Sequence, residues 1–128
     1  MKRLLLDTHV FLWCLGDSAE LGRAAAAMIV DPANEVYVSS ASIWEAEIKK
    51  RLGKLSAPAD LDAFINKMGC FELPITAYHA KQAASLPEHH KDPFDRMLIA
   101  QAQAEGLLMV TADTVFPHYG IKLLDARQ

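Results

Sequence analysis

The sequence predicts an α/β protein: a three-layer α/β/α sandwich around a four- to five-stranded, mainly parallel sheet, folded as a single domain over residues 1–128. Three observations lead there. Short unbroken apolar runs read as strands buried on both faces, the mark of a parallel rather than an alternating antiparallel sheet. Longer segments between them carry helix start and stop signals. The two kinds of segment alternate along the chain, which is how helices come to cover both faces of one sheet.

In chain order, Leu4 to Leu6 is the first strand, followed by helices over Val10 to Leu15 and Leu21 to Ile29. Val36 to Val38 is the second strand, and Ile43 to Leu52 the helix after it. Ser42 with Glu45 three residues on fits a capping box for that helix. Its Trp44, Ile48 and Leu52 recur every four residues and are expected to face the core, leaving Glu45 at the margin of the buried face. A helix over Leu61 to Met68 leads to a weaker strand candidate, Phe71 to Ile75, which Pro74 demotes to an edge or a connector. Ala77 to Ser85 and Phe94 to Glu105 read as helices. Asp92 before Pro93 fits an N-cap with proline in the first helical position, and Gly106 fits a left-handed stop. Leu107 to Val110 and Ile121 to Leu124 complete the strands.

A chain of 128 residues with 52% hydrophobic content can fill one core and has no room for a second domain. No linker, repeat or biased segment interrupts it. Met1-Lys2-Arg3-Leu4-Leu5-Leu6 opens like a signal peptide, but Asp7 and His9 break the apolar run, so a cytoplasmic protein without membrane contact is expected. Cys14 and Cys70 form no metal-binding or redox spacing and read as two buried thiols. A net charge of −3 argues against nucleic-acid binding by bulk positive charge. Lys49, Lys50, Arg51 and Lys54 are nevertheless crowded into one stretch. They are placed either to hold phosphates or to complement a helix C-terminus before Gly53.

Ligands of open parallel sheets bind beyond the carboxyl ends of the strands. Asp7 directly ends the first strand, and Asp113 follows the Leu107 to Val110 strand by two residues. Asp95 lies in the first turn of the helix feeding that strand, and Glu45 in the first turn of the helix after Val36 to Val38. Four carboxylates converging on one edge repel one another unless a cation joins them. The hard cation suited to carboxylates and water is Mg²⁺, with Mn²⁺ as the alternative. Such a site suits phosphodiester hydrolysis by a metal-activated water, with no protein nucleophile. No serine-nucleophile elbow, phosphate-binding loop or dinucleotide fingerprint is present.

Each acid also has a plainer reading. Asp92 is most simply an N-cap, Asp95 the second half of its box, Glu45 a partner of Ser42 or Lys49, Asp7 a cap, and Asp113 a turn residue. Those readings leave unexplained why Asp7, Glu45, Asp95 and Asp113 all fall on one edge. Thr8 and Thr111 stand beside the acids, either as donors that orient carboxylates or as turn residues. His9 is placed as an RNA-contacting or orienting residue. His89 and His90 read as exposed loop residues, and His79 and His118 have no assignment.

Leu4-Leu5-Leu6-Asp7-Thr8-His9, Ser39-Ser40-Ala41-Ser42-Ile43-Trp44-Glu45, Gly53-Lys54-Leu55, the run from Asp92-Pro93-Phe94-Asp95-Arg96 to Ala102, and Thr111-Ala112-Asp113 resemble the successive signatures of PIN-domain VapC toxins. The resemblance spans nearly the whole chain. Asp-Pro-Phe-Asp-Arg, and Trp-Glu followed by Gly-Lys-Leu, are its specific parts. It implies a magnesium-dependent endoribonuclease that acts on RNA and halts translation, an antitoxin that blocks the active-site groove, and a homodimer. It also implies that Asp7, Glu45, Asp95 and Asp113 are the metal-site acids. Competing magnesium enzymes fit less well: a haloacid-dehalogenase-type phosphatase needs a second aspartate two residues after the nucleophile, where this chain has His9. A PIN-like scaffold without catalysis is the other alternative, and the intact acid set argues against it.

Overall fold

The computed structural model describes residues 1–128. Five strands, β1 (Arg3–Leu6), β2 (Glu35–Ser39), β3 (Phe71–Leu73), β4 (Leu108–Thr111) and β5 (Leu123–Asp125), form one sheet in the order β3-β2-β1-β4-β5. Every pairing is parallel. Six helices alternate with them: α1 (Thr8–Gly16), α2 (Arg23–Val30), α3 (Ser40–Arg51), α4 (Leu61–Lys67), α5 (Ala77–Ser85) and α6 (Pro93–Glu105). A short 3-10 turn, Phe116–Tyr119, precedes β5. The expected sandwich is therefore present. The weak candidate Phe71 to Ile75 is a real edge strand but a shorter one, ending at Leu73 just before Pro74.

The pleat of β1 explains the two core layers. Leu4 and Leu6 point into one apolar cluster with Val10, Phe11, Ala25, Leu61 and Ile65, while Leu5 points into the other with Leu98, Ile99, Met109 and Phe116. All three leucines are fully buried, so β1 is central and covered on both sides, as its unbroken apolar run requires. Gly22 has a packing reason of its own: a Cβ there would lie 2.0 Å from the Gln128 carbonyl oxygen, where the C-terminal segment crosses.

Strand order fixes where a ligand belongs. From β1 the chain first builds outward through β2 to β3, then returns to add β4 and β5 on the other side of β1. The direction reverses between β1 and β4, and the carboxyl ends of those two strands flank the crevice that such a reversal opens.

Two sequence expectations fail in α3. Trp44 and Leu52 are 62% and 63% exposed and Ile48 is on the surface as well, whereas Ala41, Ser42, Glu45 and Ala46 are buried. The helix turns a small and polar face inward because its N-terminal half lies against α1 and α6 at the sheet edge, where Ala and Ser permit close approach and Glu45 finds partners. The expected Ser42–Glu45 capping box is also absent. Ser39 is the cap, its hydroxyl accepting from the Ala41 N–H at 3.0 Å, and Ser42 lies one turn inside the helix. Cys70 is buried but Cys14 is only partly so, and both thiols are free. Burial raises the Cys14 pKa to about 11, and Cys70 shifts the same way. No helix is long and apolar enough to cross a membrane.

Candidate metal centre

Asp7 leaves β1 with its N–H still paired to the Val110 carbonyl of β4 at 3.1 Å, so the sheet ladder itself fixes its position. Its Oδ1 caps α1 by accepting from the Val10 N–H at 2.8 Å, and its Oδ2 accepts from the Thr111 hydroxyl. The capping reading is what the geometry shows, and the cap fixes the carboxylate at the crevice between β1 and β4. Burial raises the Asp7 pKa; the Thr111 and Val10 hydrogen bonds oppose that shift, and Asp113 adds to it.

Glu45 is buried on the inner face of α3. Thr8 donates to its Oε1 at 2.8 Å, with the Ser42 hydroxyl 2.9 Å from the same Thr8 oxygen. Lys49, one turn on, places its ammonium 2.7 Å from Oε2. That bond is the main reason the Lys49 pKa is raised, and Asp92 and Asp95 contribute.

The N-terminus of α6 supplies Asp95. Asp92 is its N-cap, Oδ1 accepting from the N–H groups of Phe94 at 2.8 Å and Asp95 at 3.2 Å, with Pro93 in the first turn. The reciprocal half of a box is missing: the Asp92 N–H goes to His90 Nδ1 at 3.3 Å, which frees the Asp95 carboxylate for the crevice. Asp113 follows β4, its N–H donating to Thr111 Oγ1 at 3.0 Å and its Oδ1 accepting from Val115 at 2.7 Å. Burial, with the negative charges of Asp92 and Glu45, pushes the Asp95 pKa up to about 7.

Sequence reasoning missed His90. It reads as an exposed loop residue, yet its ring is largely covered and its Nε2 lies 3.1 Å from Asp95 Oδ2 and 3.0 Å from Asp113 Oδ2. The three ligand atoms fall within 4.8 Å of one another. The available signal was position: His90 stands two residues before the capping Asp92, so it must lie at the same helix N-terminus. His89 is exposed, as expected, beside the rings of His118 and Tyr119. His79 is buried in a separate network described below.

Beside the acids a groove of about 340 Å³ is lined by Asp7, His9, Trp13, Asp113 and Arg127. His9 is exposed on it. Of the basic stretch, Lys49 is engaged with Glu45, and Lys50 with Glu47 at 3.0 Å and the Pro58 carbonyl at 2.6 Å, while Arg51 and Lys54 are exposed.

This donor set fits a divalent cation. Asp7, Glu45, Asp95 and Asp113 present hard oxygens from four different segments; backbone and hydroxyl donors hold Asp7, Glu45 and Asp113, His90 faces Asp95, and burial first, then the charges of Asp92 and Glu45, raise the Asp95 pKa.

A parallel sheet whose reversal point carries fixed acids defines a class of carboxylate-lined α/β domains. The PIN domain family model matches residues 4–122, and the protein belongs to the PIN domain family. No curated protein sequence matches it. Solved structures match over nearly the full length. The DNA-bound VapBC of Salmonella typhimurium aligns with TM-score 0.71 at 18% identity, covering 98% of each chain. The sarcin-ricin loop cleaving toxin VapC20 of Mycobacterium tuberculosis aligns with TM-score 0.69 at 18% identity, covering 98% of this chain and 99% of that one. FitAcB of Neisseria gonorrhoeae aligns with TM-score 0.62 at 17% identity, covering 96% and 97%. At these identities the likeness is one of fold.

Proposed function

We propose that the chain is a divalent-metal-dependent endoribonuclease and the toxin of a VapBC-type pair, halting translation by cutting RNA until an antitoxin blocks it. The observation that carries this reading is the pairing of Asp95 with Asp113 at the carboxyl ends of β1 and β4, with Glu45 acting electrostatically on Asp95 and Asp113 on Asp7. PIN domains are nucleases as a family, and the fold neighbours include a sarcin-ricin loop cleaving toxin, a toxin–antitoxin complex and a member of the VapBC family of toxin–antitoxin systems, which supports both halves of the proposal.

Asp7, Glu45, Asp95 and Asp113 would hold Mg²⁺ or Mn²⁺. The ion supplies Lewis acidity at phosphorus and an activated water. The chain's own residues do the positioning. Thr111 and the Val10 N–H fix both oxygens of Asp7, and Thr8 fixes Glu45, so the carboxylates need not reorganise when a ligand arrives. Asp92 acts through the backbone of α6 by capping it. Lys49 balances Glu45 at the rim, and Arg51, Lys54 and His9 are exposed to meet the RNA backbone.

The partner reading has its own support. Trp44, Ile48 and Leu52 form an exposed apolar stripe on α3, with Trp44 edge-on to Phe94 at 5.1 Å. A stripe of that kind fits cover by a protein partner, the antitoxin or a second copy in a homodimer. An antitoxin segment with a basic residue could pair with Asp7 or Asp95 and compete with the metal. The test is direct: purified protein should cut RNA with Mg²⁺ or Mn²⁺ and stop in EDTA, its expression should arrest bacterial growth, and co-expression of the small protein encoded beside it should restore growth. A protein that cuts no RNA with either ion and is harmless when overexpressed would be a scaffold instead.

A further inference from the structure

The four-acid site does not account for His90 or Arg96. Arg96, one residue after Asp95, spends its guanidinium on backbone carbonyls. Nη1 donates to Pro87 at 3.0 Å and His90 at 3.2 Å; Nη2 donates to Ala83 at 2.9 Å, Leu86 at 2.8 Å and Ala84 at 3.5 Å. These groups are the unsatisfied carbonyls at the end of α5 and those of the loop after it. The planar fork suits such a cluster, and lysine would not reproduce it. Tyr119 adds a second tie: its hydroxyl accepts from the His90 N–H at 2.6 Å and donates to the Pro87 carbonyl at 2.9 Å. The loop is therefore held at both its ends, and what it delivers is one imidazole.

The tautomer of that imidazole follows from its neighbours. Nδ1 faces the Asp92 N–H, a donor, so Nδ1 is the acceptor and Nε2 carries the proton. A metal-ligating histidine has the opposite arrangement, its remote nitrogen donating to a carboxylate or carbonyl. The Nε2–H instead points between Asp95 Oδ2 and Asp113 Oδ2, about equally close to both. Asp113 Oδ1 is already occupied by Val115, so Oδ2 is the oxygen Asp113 has to offer. A point within hydrogen-bonding distance of two carboxylate oxygens from different segments, the first turn of α6 and the loop after β4, is where a shared cation belongs.

We propose that His90 is a built-in occupant of the cation position between Asp95 and Asp113, held there by the Arg96-clamped loop, so that a divalent ion must displace the imidazole to bind both carboxylates. The contact is autoinhibitory toward metal, and the imidazole of His90 is the group the ion must turn away. The inference rests on the metal-site reading of Asp95 and Asp113, and the experiment separates the two.

The probe is Mn²⁺ alone, titrated calorimetrically into the full-length protein and followed in parallel by the electron paramagnetic resonance signal of free Mn²⁺. Removing a hydrogen bond to charged groups that the ion must break should tighten Mn²⁺ binding in His90→Ala by roughly tenfold. Arg96→Lys, which loosens the loop without touching an acid, should shift affinity in the same direction by less. Circular dichroism melts of both variants establish that they are folded. Asp95→Asn is the control for the underlying reading and should lose Mn²⁺ binding. Weaker or unchanged Mn²⁺ binding in folded His90→Ala overturns the proposal, the first outcome making His90 a ligand. Full Mn²⁺ affinity in Asp95→Asn sinks the metal-site reading, and the proposal with it.

Discussion

Two histidines contact carboxylates of the same helix, at its opposite ends, with nearly the same local geometry. At the C-terminal end of α6, His79 Nδ1 accepts from the Thr76 N–H at 3.0 Å, and its Nε2 lies 2.9 Å from Glu105. At the N-terminal end, His90 Nδ1 accepts from the Asp92 N–H at 3.3 Å, and its Nε2 meets Asp95 and Asp113. His79 is buried and faces one carboxylate, which is half in solvent; together with Thr76 it completes the capping box of α5. His90 faces two carboxylates within reach of two more acids. Identical hydrogen-bonding chemistry therefore serves helix capping at one end and charge crowding at the other. The number of acids converging on the ring sets its role, and that number is decided by strand order, which brings β4 beside β1.

The comparison breaks at once if the crowded end carries no chemistry. Asp7→Asn and Asp95→Asn should each reduce metal-dependent RNA cleavage to background while leaving the circular dichroism spectrum native, because each removes a charge from the site without removing volume. Either variant retaining wild-type cleavage rates would mean the acids at this edge are not the site. The quieter end should respond in the opposite currency. His79→Ala removes a buried cap and leaves the Thr76 N–H and Gln101 short of partners; Gln101 Oε1 already has none. Denaturant unfolding should show a loss of about 2 kcal/mol, with Mn²⁺ affinity unchanged. An altered Mn²⁺ affinity would show that the two ends of α6 are coupled.

Much of this was legible in the residues. An apolar strand that stops at Asp7, a proline after Asp92 and a glycine after Glu105 are local signals, and they fixed the edges on which Asp7, Asp95 and Asp113 fall. What escaped depends on partners distant in sequence. Trp44, Ile48 and Leu52 have a helical period indistinguishable from that of a core stripe, yet α3 buries the polar face alongside them, because Thr8 from α1 and Lys49 satisfy Glu45. Binary patterning assigns the buried side by hydrophobicity, and here a partnered carboxylate takes it. His90 was only half legible for a related reason: its place before Asp92 puts it at the N-terminus of α6, but the folded loop, gathered by Arg96 from carbonyls up to 13 residues away, is what turns it to the acids.

A smaller effect sharpens the contrast between the ends in terms of stability. In metal-free protein the Asp95 pKa is pushed from 3.8 to about 7, chiefly by burial and then by Asp92 and Glu45. The folded state thus binds a proton that the unfolded chain releases at lower pH, so this residue's contribution to stability is fully present below about pH 4 and is lost as pH rises to about 7. In EDTA, Asp95→Asn should flatten that decline, leaving the variant more stable than wild type at pH 8 and nearly equal to it at pH 4. Parallel stability curves for the two proteins across this range would remove charge crowding as the feature that distinguishes the N-terminal end of α6.

The smallest expected effect concerns the basic stretch, where the two readings of its cations now give different numbers. If Lys49, Lys50, Arg51 and Lys54 all held phosphates of single-stranded RNA, replacing the set would reduce the slope of log affinity against log salt by about 0.7 for each of the four. The structure commits Lys49 to Glu45 and Lys50 to Glu47 and the Pro58 carbonyl, leaving Arg51 and Lys54 exposed. A double Arg51→Ala, Lys54→Ala variant should therefore account for nearly the whole change, about 1.4 in slope, with Mn²⁺ affinity untouched because neither residue contacts an acid of the site. Lys49→Ala should do the reverse: it leaves the Glu45 carboxylate without its ion pair and so should alter metal binding more than the salt slope. An unchanged slope in the double variant would make Arg51 and Lys54 solvated helix-end residues, and RNA would then have to enter past His9 and Arg127, on the far side of Asp7.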